Sequence, residues 1–144
     1  MAHGQPQQVE IDIIIPNNTK YLEMIGRIGE GVAMSLKTYA GDKRDLAYHI
    51  DLILTEAVAN AICHGNHRDP DKQVRIHLTA SDHELVIKVY DQGQGFNLNS
   101  QSHRQSQDGD ESGRGINLIF RLMDEVDYYR DGEHNILHIV KHLH

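Results

Sequence analysis

The sequence contains a single cysteine, Cys63, so no disulfide can close within the chain, and a reducing compartment fits. It has no unbroken run of about 18 apolar residues, the length a helix needs to cross a bilayer, so no membrane span is expected. Met1 to Gln8 is polar and lacks the apolar core of a secretory signal, which points to the cytoplasm. No stretch is rich in Lys and Arg, and the net charge is −7 with histidine neutral. Direct nucleic-acid binding, which calls for a basic patch, is therefore not expected. The 11 histidines are scattered, and their number alone makes no pH sensor. Neither an internal repeat nor an interdomain linker interrupts the chain. What remains is an ordinary globular composition, 39% hydrophobic and 24% charged over 144 residues, enough for one domain over 1–144 with a substantial core.

The apolar pattern changes period along the chain. Val9 to Ile15 alternates and stops at Pro16, as a strand does. Asn17, Asn18 or Thr19 can cap a following helix whose apolar positions are Tyr21, Leu22, Ile25, Ile28, Val32, Met34 and Leu36. A second helix is expected from about Asp42 to His64, with a wide apolar stripe and Gly65-Asn66 as its C-terminal cap. Val74–Thr79 and Glu84–Tyr90 alternate around Ser81-Asp82-His83, the pattern of a hairpin. Asp91 to Ser112 reads as a long polar loop, and loops of this length are functional lids or disordered. Gly113–Met123 reads as a helix, and Val126–Tyr129 and Asn135–Leu143 as closing strands turning at Asp131-Gly132. The order β-α-α-β-β-lid-α-β-β implies an α/β (α+β) two-layer sandwich, with a mostly antiparallel sheet and three helices on one face.

Three short pieces carry candidate chemistry. In Glu56-x-x-x-Asn60-x-x-x-His64-Gly65, steps of four place Glu56, Asn60 and His64 on one helix face between apolar flanks. A partly buried carboxylate needs a partner, which a metal ion, a substrate hydroxyl or a water would each provide; the plainer reading is a helix edge with a salt bridge. Asp91-Gln92-Gly93-Gln94-Gly95-Phe96 follows a strand. Its glycines allow positive φ and close approach to a ligand, and Asp91 can accept a hydrogen bond from an exocyclic amino group. Such glycine pairs also occur by chance in simple turns. Gly113-Arg114-Gly115 opens a helix, where free N–H groups bind anions and an arginine adds a charged donor; otherwise it is a plain helix start. Neither glycine piece fits the dinucleotide or Walker A spacing.

Taken together and in this order, the pieces resemble the GHKL superfamily of gyrase B, the 90-kDa heat-shock chaperone, histidine kinases and MutL, whose ATP-binding fold is the Bergerat fold. Glu56, Asn60, His64 and Gly65 match its N box; Asp91, Gly93 and Gly95 match its first glycine box, and Gly113 and Gly115 its second. The wording E-A-V-A-N-A-I-C-H-G-N, D-Q-G-Q-G-F and G-R-G-I-N-L-I-F-R-L-M-D-E-V is similar to the anti-sigma-factor serine/threonine kinases of the RsbW and SpoIIAB type, small bacterial domains with a short lid, here about 96–112.

That resemblance implies ATP as cofactor, with Mg²⁺ held by Asn60 and the adenine amino group read by Asp91. Gly93, Gly95, Gly113 and Gly115 shape the pocket and lid, Arg114 touches the phosphates, and Glu56 orients or deprotonates the attacking hydroxyl. His64 is a helix-end residue packing the pocket, Cys63 a small core residue, and Phe96 part of the lid. Where the family often has a Gly-Thr pair near the adenine, this chain has Gly132-Glu133-His134-Asn135, with Asn135 the candidate substitute. The implied function is phosphorylation of a STAS-type anti-anti-sigma protein and sequestration of a sigma factor, by a homodimer. Two alternatives stand beside it: an ATP-binding partner-switch module without kinase turnover, and a detached histidine-kinase catalytic domain.

Overall fold

In the computed structural model, residues 8–37, 39–94 and 111–143 are described, the first five of the last segment by backbone alone. β1 (Val9–Pro16) alternates by period two, so Ile15 is buried while Glu10, Asp12 and even Ile14 face outward. Asn18 caps the short 3₁₀ turn Thr19–Tyr21 by accepting from the Lys20 N–H at 2.9 Å. α1 (Leu22–Met34) follows, then α2 (Lys43–Asn60), capped by the Asp42 carboxylate on the Arg44 and Asp45 N–H groups. β2 (Gln73–Ala80), β3 (Glu84–Asp91), α3 (Glu111–Leu122), β4 (Glu125–Asp131) and β5 (His134–His142) complete the order.

The five strands form one sheet in the order β1-β2-β3-β5-β4, with every neighbouring pair antiparallel. Alternation turns Ile76, Leu78, Leu85, Ile87, Val89, Leu137 and Ile139 onto one face, where they join Ile50, Ile53, Leu54, Ala57 and Val58 of α2 and Ile116 and Ile119 of α3 in one core. The opposite face is polar. There Arg75 donates two hydrogen bonds to Asp12, at 2.9 and 2.8 Å, which hold the Asp12 carboxyl below the usual carboxylate range.

α1 lies close on α2 because it presents glycine at the crossing: a Cβ on Gly29 would fall 2.2 Å from Leu54 Cδ1 and 2.9 Å from Ile50 Cγ2. Glycines that weaken a helix in isolation are here what lets two helices meet. Met34, read from periodicity as part of the apolar stripe, is exposed, because it lies off the face that Ile25, Gly29, Val32, Ala33 and Leu36 bury. The segment Lys43–Gly65 has a mean hydropathy of 1.3 over an 18-residue window, long and apolar enough by composition to cross a membrane, and 56% of that window is buried inside the protein. α3 starts two residues before the expected Gly113. Early helix positions tolerate glycine, since their N–H groups have no intrahelical partner.

A buried amide pair ties the loops at one end of the sheet. Asn66, with no exposed surface, donates from Nδ2 to Asn17 Oδ1 and to the Gln73 carbonyl, both at 3.0 Å, and accepts from the Gln92 N–H at 2.7 Å. Asn17 donates onward to the Asp69 carbonyl at 2.9 Å. Four chain segments are thereby joined through two side chains. Asn66→Ala would leave one buried and two part-buried groups without their partners, and is expected to lower the unfolding free energy by about 1–3 kcal/mol in urea titration.

Candidate functional site

Glu56 and Asn60 sit on the last two turns of α2, Glu56 half-buried and Asn60 2% exposed. Asn60 Nδ2 donates to the Glu56 carbonyl at 2.8 Å. This back-bond fixes the amide and leaves its acceptor half, Oδ1, buried without a hydrogen-bond partner among the described residues. A buried acceptor in that state costs about 1–3 kcal/mol, and a ligand that supplied positive charge or a donor would recover it.

The expected single α-helix to His64 is interrupted. After Asn60 the chain makes one π turn, Ala61–Gly65, in which the Asn66 N–H reaches back five residues to the Ala61 carbonyl at 2.8 Å. His64 therefore does not follow Asn60 by a regular α-helical step; it is half-buried and takes part in a polar contact. His67 and Arg68 then adopt φ values of 51° and 58°, left-handed backbone that side-chain-bearing residues seldom take, and the Arg68 N–H is held by the Ile62 carbonyl at 2.8 Å. Cys63 packs against the core, as its small apolar character suggested.

Asp91 ends β3 and is 1% exposed. Its Oδ1 accepts from the Gly93 N–H at 3.1 Å and from Asn135 Nδ2 at 2.7 Å, and its Oδ2 accepts from the Tyr128 hydroxyl at 3.0 Å. Asn135 stands opposite Asp91 in the β3–β5 register. Its Nδ2 also donates to the Gly93 carbonyl at 2.9 Å, so both of its protons are used within the protein. Arg130 adds Nη1 bonds to the Gly93 carbonyl at 3.2 Å and to Asn135 Oδ1 at 3.3 Å.

The N box and the first glycine box meet directly. A Cβ on Gly65 would fall 2.3 Å from Asp91 Oδ2, and one on Gly93 would fall 1.6 Å from the Gly65 carbonyl oxygen. Gly93 does not use the positive φ that its glycine was expected to serve, since Gly132 is the glycine with such a φ among the described residues. What Gly93 allows is contact between two backbones. A groove of about 530 Å³ opens beside this junction, lined by Asn66, His67, Asp69, Lys72, Gln92, Gly93, Gln94 and Arg130.

Of the residues read from sequence, Glu56, Asn60, His64, Gly65, Asp91 and Gly93 thus lie on two elements that meet at one end of the sheet. Gly113, Arg114 and Gly115 fall on the first part of α3, which packs on α2. Gly95 and Phe96 lie outside the described residues, as does the expected lid up to residue 110. Sequence reasoning does not single out Tyr128, Asn66, Asn17 or Arg130. Alternation in β4 shows that only one of Tyr128 and Tyr129 can face inward, but the partner of Tyr128 is 37 residues away in sequence. No cluster of three or more His, Cys, Asp or Glu able to cage a metal exists among the described residues.

Residues 22–141 match the family described as "Histidine kinase-like ATPase domain". Among characterised proteins, the chain is 32% identical over 100 residues to an anti-sigma F factor of Anoxybacillus flavithermus, covering 65% of this chain and 68% of the relative. It is 30% identical over 100 residues to an anti-sigma F factor of Bacillus licheniformis, with the same coverage of 65% and 68%. To that of Oceanobacillus iheyensis it is 30% identical over 82 residues, covering 54% and 56%.

The junction makes a sharp prediction about two glycines. Gly93→Ala is expected to destabilise the fold by about 3 kcal/mol or more, because the obstructing atom belongs to backbone. Gly31→Ala, on α1 where an added Cβ would meet nothing within 4 Å, is expected to be neutral or to stabilise by up to about 1 kcal/mol. Thermal melts of the two variants beside the wild type check both.

Proposed function

Because the chain belongs to the histidine kinase-like ATPase domain family, we propose that it is a bacterial, ATP- and Mg²⁺-dependent protein serine/threonine kinase that acts as an anti-sigma factor. The observation that carries this reading is the buried, unpartnered Asn60 Oδ1, one helical turn from a half-buried carboxylate at Glu56. An amide oxygen so placed suits Mg²⁺, which prefers oxygen ligands and near-octahedral geometry. When bound, ATP-Mg²⁺ supplies the γ-phosphoryl group and offsets its charge.

The protein's own residues divide the remaining work. Asn60 Oδ1 holds the cation, and its Nδ2 bond to the Glu56 carbonyl keeps the oxygen in place. Asp91 accepts from the adenine amino group, with Gly65 and Gly93 bringing the helix end against it. Glu56 would orient the hydroxyl of the target side chain and take its proton while the γ-phosphoryl group passes to that oxygen and ADP leaves, a contribution of about 10²–10⁴-fold. Gly95, Gly113, Arg114 and Gly115 complete the nucleotide site on this reading, and His64 packs its wall. Asn135 acts as a brace on Asp91 and Gly93 rather than as a second donor to the base, because both its protons are committed.

The relatives are named for their action on sigma F, which supports a sigma factor or a similar regulator as the sequestered partner here. A STAS-type anti-anti-sigma protein is the proposed phosphorylation substrate. The remaining parts of the proposal are one domain over 1–144, a homodimer and a cytoplasmic location.

Nucleotide binding is tested by thermal melts with ATP-Mg²⁺. Stabilisation of about 2.7 kcal/mol is expected at 100 times Kd, weakened in Asp91→Asn and lost with Mg²⁺ dependence in Asn60→Ala. Catalysis is tested by labelled-phosphate transfer to STAS-type partners. Glu56→Gln should still bind ATP while transfer falls at least tenfold, about 1.4 kcal/mol in barrier. The product should be acid-stable, as phosphoserine and phosphothreonine are; an acid-labile product would indicate histidine. Binding of ATP and partner with no transfer by the wild type would favour a switch module without turnover.

A further inference from the structure

We infer that Tyr128 holds the place of a nucleobase amino group at Asp91, and that binding of an amino-bearing base displaces its hydroxyl. The inference rests on the reading of Asp91 as the base acceptor. Each carboxylate oxygen accepts about two hydrogen bonds. Among the described residues, Oδ1 already has two, from the Gly93 N–H and Asn135 Nδ2, and Oδ2 has one, from the Tyr128 hydroxyl at 3.0 Å. The residue as a whole is 1% exposed, with Gly65 packed against Oδ2. Oδ2 keeps a second acceptor position by count, but Gly65 packed against it and the burial of the residue leave an incoming donor the place that the Tyr128 hydroxyl holds.

The donors differ in how readily they can yield. The Gly93 N–H lies two residues from Asp91 in the same turn, and the Gly93 carbonyl is held by Asn135 and Arg130. Asn135 belongs to β5, an interior strand, and stands in register with Asp91. Tyr128 is a half-buried side chain on β4, an edge strand; its ring packs against the core, so shifting its hydroxyl takes a side-chain rotation but leaves the ladder in place. The exchange is like for like: an O–H donor leaves Oδ2 and an N–H donor arrives. A buried carboxylate thus keeps its partners with and without nucleotide. A base lacking a donor at that position has nothing to put in place of the hydroxyl, so Tyr128 keeps its bond to Oδ2 when such a base binds. Tyr128 is in this sense a specificity residue: it competes with the base amino group and sets how much that group contributes.

The test compares ATP with purine riboside triphosphate, which lacks the 6-amino group, in direct titrations of wild type and Tyr128→Phe. Removing the hydroxyl leaves Oδ2 short of a donor that ATP can supply. ATP affinity should therefore rise about fivefold while affinity for the analogue stays unchanged. Wild type labelled with 3-fluorotyrosine gives a second readout that needs no folded variant beyond the one used for assignment. The ¹⁹F signal of Tyr128, one of six tyrosines, should shift with ATP and not with the analogue. If the wild type prefers ATP but Tyr128→Phe binds it equally or more weakly, or the fluorine signal fails to respond, Tyr128 is a fixed brace and the inference is wrong. Equal wild-type affinity for both nucleotides would instead remove Asp91 as base reader, and the inference with it.

Discussion

The contact between the Gly65 carbonyl and Gly93 joins the two halves of the candidate site, and most of the surrounding structure serves to maintain it. Gly65 ends the π turn after α2, while Gly93 lies in the turn that leaves β3. With any side chain at either position the helix end would stand off from the sheet, since the obstructing atoms are a backbone carbonyl and a buried carboxylate. Glu56 and Asn60 would then be separated from Asp91. Bonds on either side hold the contact closed: Asn66 restrains the Gln92 N–H from below the helix end, and Asn135 and Arg130 hold the Gly93 carbonyl from β5 and β4.

The distribution of buried polarity points the same way. The buried polar residues among those described are Asn17, Asn60, Asn66, Asp91 and Asn135, and all of them belong to this end of the molecule. The rest of the interior is aliphatic. Polar side chains with fixed partners define one geometry more narrowly than interchangeable aliphatic contacts do, and they are costly when left unmet. Four of these residues are met within the protein. Asn60 Oδ1 is the exception, buried with no hydrogen-bond partner among the described residues.

How much of this is legible in the sequence depends on the range of the interaction. Strand alternation and helix periodicity are local, and they yield the element order, the hairpins and the core face of α2. The N box and glycine boxes are recognisable because their residues sit at short, fixed spacings. The π turn leaves no such mark: Ala61 to Gly65 reads as an ordinary continuation of the helix until the Asn66 N–H is seen to reach Ala61. The Asn17–Asn66 and Asp91–Asn135 pairs span 49 and 44 residues, and nothing local marks either asparagine as buried. Gly93 stands out in the sequence as a glycine that allows positive φ or close approach to a ligand; it does not take the positive φ, and what it approaches closely is the backbone of Gly65, far earlier in the chain.

The π turn also has a meaning for the length of the chain. A hydrogen bond that closes over five residues absorbs one more residue than an α turn, and so lets the helix carry an extra position without changing what lies before it. If one residue between Ala61 and Gly65 were deleted, the turn could close over four residues with the Asn66 N–H still on the Ala61 carbonyl, and the groups after it would keep their phase. A residue inserted there meets a turn that has already absorbed one, and would carry the Gly65 carbonyl about 100° around the axis, away from Gly93. The stretch between Asn60 and Gly65 thus tolerates shortening better than lengthening.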